Sequence, residues 1–174
     1  AIGIYISILF VWGEEYLPTD NVKYGISCDS LALNMGLKNG DKILSVDNKK
    51  VENFLKISNE IILNDAKSIQ VKRNDTVVNI PIPDDILSKL IKQKSADFIS
   101  VRFPFEIGGF SKESNAKKAG LEEGDKFISI NDETLTYFDE FRNKFKQYKN
   151  QEVNVGFIRN NDTLYKDVKV SPEG

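Results

Sequence analysis

The sequence predicts an α+β protein made of two similar domains. A block at residues 35–47 is repeated at residues 119–131, and each copy reads Gly-Leu-x-x-Gly-Asp-Lys, then an alternating apolar run, then Asp or Asn. The likeness extends beyond the block, because Phe54 corresponds to Phe138 without a gap and an Arg-Asn turn follows in both halves. A chain of 174 residues can form one large or two small domains, and the repeat favours two.

The repeated block predicts a helix end, a tight turn and a strand in each half. Its first glycine, Gly36 or Gly120, suits the left-handed residue that ends a short helix. Ser30 can cap the short helix of the first copy. The Gly-Asp pair then makes the turn, and the alternating apolar residues that follow give a strand with one face toward a core.

Helical spacing and turn residues predict the other elements. Phe54, Ile57 and Ile61 lie at helical spacing behind Asn53, which is the predicted cap. The predicted elements of the first half are a strand at 22–26, a helix at 52–63, strands at 68–73 and 77–82, and a linker helix at 86–92. Those of the second half are a strand beginning at 98, a short helix at 114–119, a long helix at 137–148, and strands at 152–159 and 163–170.

Each half therefore predicts five or six short strands capped by two helices, as in an α+β sandwich or a partly open barrel. Pro81 and Pro83 end the first half because proline removes ladder donors. The predicted organisation is a leading segment at 1–20, a first domain at 21–83, a linker helix at 84–95, a second domain at 96–171 and a tail at 172–174.

Composition excludes several functions for this chain. A net charge of −2 gives no electrostatic reason to bind nucleic acid. The chain has no histidine and one cysteine, Cys28, so the common zinc sites and imidazole-activated nucleophiles are excluded. Cys28 lies in a strand-like setting, which predicts a buried, inert thiol.

Residues 1–12 form an apolar run that ends in Trp12. A membrane span takes about 20 residues, so this run is too short to cross a bilayer by itself. It also lacks the basic start of a signal peptide. The run is either a buried strand or the last turns of a membrane helix, with Trp12 and Tyr16 at the water interface.

The motif Ser-x-Ala-x-x-x-Gly-Leu-x-x-Gly-Asp, at residues 30–41 and 114–125, resembles the core signature of PDZ domains. The order of elements is similar to the circularly permuted bacterial type. This resemblance implies that an extended peptide adds as a strand between a sheet edge and the long helix, with an apolar pocket providing selectivity. The Gly-Leu-Gly-Phe-like loop of that family is replaced by residues 97–101.

The resemblance implies a groove in each domain. In the second domain it lies between the strand at 98–102 and the long helix, and the first domain has comparable positions. Core packing is the alternative role for the helical phenylalanines, and a solvated strand charge is the alternative for Arg102. The implied groove residues are Phe98, Ile99, Ser100, Val101, Arg102, Phe138 and Phe141 in the second domain, and Tyr24, Phe54 and Ile57 in the first.

An apolar run followed by two such domains resembles the extracytoplasmic region of bacterial site-2 intramembrane zinc metalloproteases. Residues 1–12 would then end a membrane helix, and the parent protein would be a multi-pass protein of the bacterial inner membrane with this region on its periplasmic face. The resemblance implies zinc in the parent and no cofactor or catalytic residue here. The domains would filter or bind a membrane substrate, such as an anti-sigma factor trimmed by a first protease.

Two alternatives remain from the sequence. The PDZ-like pair could belong to a high-temperature-requirement serine protease, although an Ile-rich run ending in Trp12 poorly matches that junction. It could also be a non-enzymatic adaptor. A His-Glu-x-x-His motif upstream and a further membrane span downstream would distinguish the site-2 protease from both.

Overall fold

The computed structural model describes residues 16–93 and 98–172 of the chain. Contacts divide the chain into a first unit that runs to Val101 and a second unit that begins at Arg102. Both units combine helices with antiparallel strands, which confirms the predicted α+β class. The predicted end of a membrane helix at residues 1–12 lies outside the described residues.

The first unit contains five strands and three α-helices among its described residues. In chain order they are β1 (Ile26–Cys28), α1 (Ser30–Met35), β2 (Lys42–Val46), α2 (Ile57–Leu63), β3 (Ser68–Arg73), β4 (Thr76–Pro81), α3 (Ile86–Gln93) and β5 (Ile99–Val101). A 3-10 turn at Phe54–Lys56 leads into α2, and another lies at Thr19–Asn21. Strands β2, β3 and β4 form one antiparallel sheet, and β1 pairs with β5 in a second.

The short helix α1 is held at both ends. Asp29 Oδ1 accepts a hydrogen bond from the Ala32 amide at 2.9 Å, so Asp29 is the cap and the predicted cap, Ser30, is the first helical residue. Gly36 ends the helix with φ of 101°, as predicted from its place in the repeat. Asn53 caps the turn before α2, also as predicted, by accepting a hydrogen bond from the Leu55 amide.

The first unit is larger than the sequence predicted. Helix α3, predicted as a linker, buries Ile86 and Leu90 in the core of this unit. Strand β5 then pairs with β1 in antiparallel register, with Ser27 opposite Ser100. The unit therefore ends after Val101 and not at residue 83. Helix α3 and strand β5 belong to it because of long-range apolar contacts, which local sequence patterns do not reveal. Cys28 is buried in the same core.

The second unit contains four strands and two α-helices among its described residues. They are α4 (Asn115–Lys118), β6 (Lys126–Ile130), β7 (Glu133–Thr134), α5 (Phe138–Gln147), β8 (Glu152–Arg159) and β9 (Asp162–Lys169). The strands form one antiparallel sheet in the order β7-β6-β8-β9. The described strands form three separate antiparallel sheets of two, three and four strands, and they close no barrel. This arrangement is compatible with the predicted sandwich or partly open barrel but is not specific to it.

The sequence repeat has a structural counterpart in a buried ion pair. In the first unit Arg73 Nε and Nη2 donate to the carboxylate of Asp41 at 2.8 and 2.7 Å, and Nη2 also donates to the Gly36 carbonyl. In the second unit Arg159 makes the same contacts with Asp125 and Gly120. Both aspartates are 1% exposed. Each pair joins the helix end, the turn and the sheet of its unit.

Candidate functional site

Strand β5 is paired on one side only within the described residues. The Asp29 amide donates to the Phe98 carbonyl at 3.0 Å, and Ser27 lies opposite Ser100. Because backbone groups of successive residues in an antiparallel strand point to opposite sides, the amides and carbonyls of Ile99 and Val101 point away from β1. No described residue pairs with them. This outer edge has the hydrogen-bonding groups that an added strand would need.

Apolar burial fixes β5 in place. Phe98 is completely buried and Ile99 is 6% exposed, both within the core of the first unit. Val101 is half-buried against the same core, whereas Ser100 is exposed. The predicted groove strand of the second domain is therefore a strand of the first unit. The backbone groups on its outer edge can accept an added strand, while the side chains of Phe98 and Ile99 pack in the core.

The predicted groove residues in the rest of the first unit are mainly core residues. Phe54 is 6% exposed and Ile57 is completely buried. Tyr24 is half-buried, and the Lys23 ammonium lies 5.2 Å from its ring centre. Phe54 and Ile57 pack behind the surface, so a direct contact with a ligand stays a prediction for all three.

A polar cavity that the sequence reasoning missed lies elsewhere in the first unit. It has a volume of about 530 Å³ and lies between the turn after β2 and helix α2. Lys49, Lys50 and Lys56 line it together with Glu52 and Glu60, so its charges are of both signs. Lys50 Nζ binds Asp20 Oδ2 at 2.7 Å, which raises the pKa of Lys50. The mixture of charges favours no particular ligand.

Arg102 begins the second unit and is paired inside it. Its Nε lies 3.0 Å from Asp139 Oδ1 and its Nη2 lies 2.6 Å from Glu140 Oε1. The guanidinium carbon is 3.7 Å from the centre of the Tyr137 ring. The side chain of Arg102 is 12% exposed and that of Asp139 is 4% exposed. Arg102 is thus neither a solvated strand charge nor a free cation, and a ligand contact would have to displace these partners.

Arg102 and Glu140 also stabilise the start of helix α5. Burial acts to raise the pKa of Glu140, but hydrogen bonds from the Thr136 and Tyr137 amides, together with Arg102, lower it overall. A charged Glu140 is therefore favoured, and it satisfies two of the amides at the helix N-terminus. Two acidic residues in the first turn of the helix, Asp139 and Glu140, could have indicated this arrangement from the sequence. Their partner Arg102 is far away in the chain, so the ion pairs could not be predicted.

Helix α5 divides its phenylalanines between the core and the surface. Phe141 is completely buried, and its ring centre lies 5.4 Å from that of Phe105 and 5.6 Å from that of Phe127. Phe138 is half-buried and stacks on the exposed Phe103 at 5.3 Å. Of the predicted groove residues in this unit, Phe141 serves the core and Phe138 is accessible. Of the ten predicted groove residues, only Arg102, Phe138 and Phe141 lie in the second unit, and the other seven lie in the first.

The described residues contain no cluster of three or more His, Cys, Asp or Glu side chains that could hold a metal ion. No helix in the described ranges has the length and apolar character that a membrane crossing requires.

No family model matches the sequence. The chain is similar to the Neisseria meningitidis protein named "Putative zinc metalloprotease NMA0084", with 26% identity over 156 residues. The match covers 81% of this chain and 33% of that protein, so the chain spans about a third of the relative's length. The similarity relates this chain to part of that protein.

Proposed function

We propose that this chain is the extracytoplasmic regulatory region of a membrane-embedded zinc metalloprotease of the site-2 type. Its two units would be PDZ-like domains on the periplasmic face of the bacterial inner membrane, linked to the membrane through flanking segments. The repeat of one unit and the match to a third of a zinc metalloprotease support this. Zinc and the catalytic residues would belong to other parts of the parent protein.

The first unit would bind an extended segment of a substrate protein along the outer edge of β5. The observation that carries this proposal is the outward backbone of Ile99 and Val101, which no described residue pairs with, on a strand anchored by Phe98. Strand addition uses such groups because main-chain hydrogen bonds give affinity without a specific sequence. The substrate would be a membrane protein of the anti-sigma factor kind, in its trimmed form.

Replacing Val101 with proline should weaken peptide binding at this edge by about tenfold or more, since one lost bond and the proline ring cost at least about 1.4 kcal/mol. Proline removes the outward amide of Val101, and an edge position tolerates it structurally. Binding of a library of peptides ending in small apolar residues to the whole chain, followed by fluorescence anisotropy, measures the effect.

Val101→Ala is the matched control, because it shortens the same side chain but keeps the amide. We expect this variant to bind within about twofold of the native chain, since it keeps the backbone groups that strand addition uses. Circular dichroism of both variants checks folding. Equal binding by the proline and alanine variants would place the ligand elsewhere, and an absence of binding by the native chain would leave only the filter role.

The filter role makes a separate prediction about the parent protein. Removing residues 16–172 from it should allow cleavage of a membrane substrate that still carries its bulky extracytoplasmic domain. The intact parent should cut only the trimmed substrate. Product formation from both substrates in membranes, with a catalytically inactive parent as the control, measures this. Continued exclusion of the untrimmed substrate would contradict the proposal.

A further inference from the structure

Strand β9 is the last strand of the sheet of the second unit, and among the described residues it pairs only with β8. The Val170 amide donates to the Gln151 carbonyl at 2.9 Å, so the backbone groups of the even-numbered residues of β9 point toward β8. The backbone groups of Thr163, Tyr165 and Asp167 therefore point outward. No described residue pairs with them.

Only part of this outer edge is open. Near its C-terminal end, Asn115 Nδ2 of helix α4 donates to the outward carbonyl of Lys169 at 2.9 Å and occupies the edge there. Residues 162–167 are all exposed, and among them Leu164 is 37% and Tyr165 is 58% exposed. The open part of the edge is therefore residues 162–167.

The corresponding strand of the first unit, β4, has a different edge. It has six residues, none of them charged, and it ends in Pro81, which has no amide to donate. Proline is one of the residues that protect sheet edges from pairing with other strands. Strand β9 has eight residues, no proline and two residues of each charge sign. Its charges therefore determine which strand can lie against it.

The charges of β9 are complementary to those of a second copy of β9 in one register. In an antiparallel pair of identical strands related by a two-fold axis, outward residues lie opposite outward residues. An axis at Leu164 places Thr163 opposite Tyr165 of the second copy. It also places Asp162 opposite Lys166 of the second copy, and symmetry repeats this contact. Opposite charges that face each other across two strands stabilise the pair.

The other registers lack this complementarity. An axis at Lys166 would place two ammonium groups opposite each other, and an axis at Asp167 would do the same with two carboxylates. Like charges directly opposite each other destabilise a strand pair. An axis at Tyr165 would place Lys166 opposite Leu164, so the ammonium group would have no carboxylate across from it.

We propose that this chain forms a homodimer through β9, with the two-fold axis at Leu164. The four-stranded sheets of the two copies would then join into one continuous sheet. Leu164 would contact its own counterpart across the axis, because side chains approach closely in a pair that is not hydrogen-bonded. The paired segment is short, so the dimer is weak and reversible. The proposal does not rest on the proposed function and uses a different edge from that of β5.

Sedimentation velocity of the whole chain, from micromolar to millimolar concentration, measures dimer formation. Asp162→Lys should weaken the dimer at least about tenfold, because it places like charges opposite each other at two symmetric positions. Lys166→Asp should have the same effect. Both side chains are exposed, so we expect both variants to fold, and circular dichroism checks this.

Two combinations of these substitutions are the matched controls. The double variant, Asp162→Lys with Lys166→Asp, should recover the native dimer because lysine again lies opposite aspartate. A mixture of the two single variants should form a heterodimer, although neither variant dimerises by itself. Val101→Pro should leave the dimer unchanged, which separates this edge from that of β5.

Disulfide cross-linking gives a second measurement, which reports the register. After Leu164→Cys, the two Cα atoms at the axis would be about 4.5 Å apart, a distance that a disulfide spans. Asp167→Cys is the control, since its two Cα atoms would be roughly 20 Å apart. The native Cys28 is buried, so the unsubstituted chain should not cross-link on mild oxidation.

Four results would overturn the proposal. A chain that stays monomeric over the whole concentration range would leave the edge to a different polypeptide. A dimer that neither charge substitution weakens would use another surface, and a dimer lost in Val101→Pro would use the edge of β5. Cross-linking of Asp167→Cys in place of Leu164→Cys would contradict the register and the charge argument.

Discussion

Replacing Arg73 with alanine should lower the free energy of unfolding of the first unit by about 3–5 kcal/mol. The guanidinium makes two hydrogen bonds to Asp41, whose side chain is 1% exposed. Without it, a buried carboxylate loses its cation and the Gly36 carbonyl loses a donor. The large effect comes from leaving the Asp41 carboxylate buried without a cation. The attraction within the intact pair does little more than offset the cost of removing both charges from water.

Urea unfolding of the native and Arg73→Ala chains, followed by circular dichroism, measures this effect. Lys72→Ala is the matched control. Lys72 is the next residue of the same strand and pairs with Asp75 in solvent, so its removal should change stability little. A similar small change for both variants would mean that water replaces the guanidinium at Asp41, and the ion pair would then have no structural importance.

The second unit gives an independent comparison. Hydrogen bonds from Arg159 lower the pKa of Asp125, with the amide of Glu122 adding to the effect and burial opposing it. The same pattern of hydrogen bonds from an arginine to a buried aspartate is present in both halves. Arg159→Ala should destabilise the second unit and leave the first unchanged, which tests whether the units unfold separately.

Replacing Phe141 with alanine should cost the second unit about 3–5 kcal/mol, the usual range for a large aromatic residue in a core. The side chain is completely buried and packs against Phe105, Phe127 and Phe145. Its removal would leave a cavity among aromatic rings that cannot easily close. The unit has a modest core, so thermal unfolding should show its transition at a much lower temperature.

Phe138→Ala is the matched control on the same helix, one turn earlier. Its side chain is half-buried and has lost less water than that of Phe141, so we expect a clearly smaller loss of stability. If Phe138 also contacts a ligand, this variant would lose binding while keeping most of its stability. Equal destabilisation by both substitutions would contradict the assignment of Phe141 to the core and Phe138 to the surface.

Elements defined by short-range patterns could be predicted from the sequence. Strand β8 was predicted at 152–159 and is found at Glu152–Arg159, and β3 likewise has the predicted bounds. Asn53 caps its turn as expected because capping depends on residues only two positions apart. The repeat itself correctly predicted the left-handed glycine at Gly36, since a helix end followed by a tight turn requires one.

Contacts between distant residues could not be predicted from local patterns. Strand β5 has apolar residues that suit either unit, and only its pairing with β1 assigns it to the first. Arg102 and Asp139 are 37 positions apart, and Arg73 and Asp41 are 32 apart. Charged residues in a sequence usually indicate solvated surface, so nothing local distinguishes these half-buried, paired arginines from the exposed lysines around them.

The position of β5 in the chain also affects synthesis of the protein. Strand β1 ends at Cys28, but its partner ends at Val101, so the ribosome must add 101 − 28 = 73 residues before the pair can form. At about 5–20 residues per second, this takes roughly 4–15 seconds. During that time the nascent first unit has an open edge and lacks Phe98 in its core. The sheet and the core of the first unit are therefore completed only at the end of this interval.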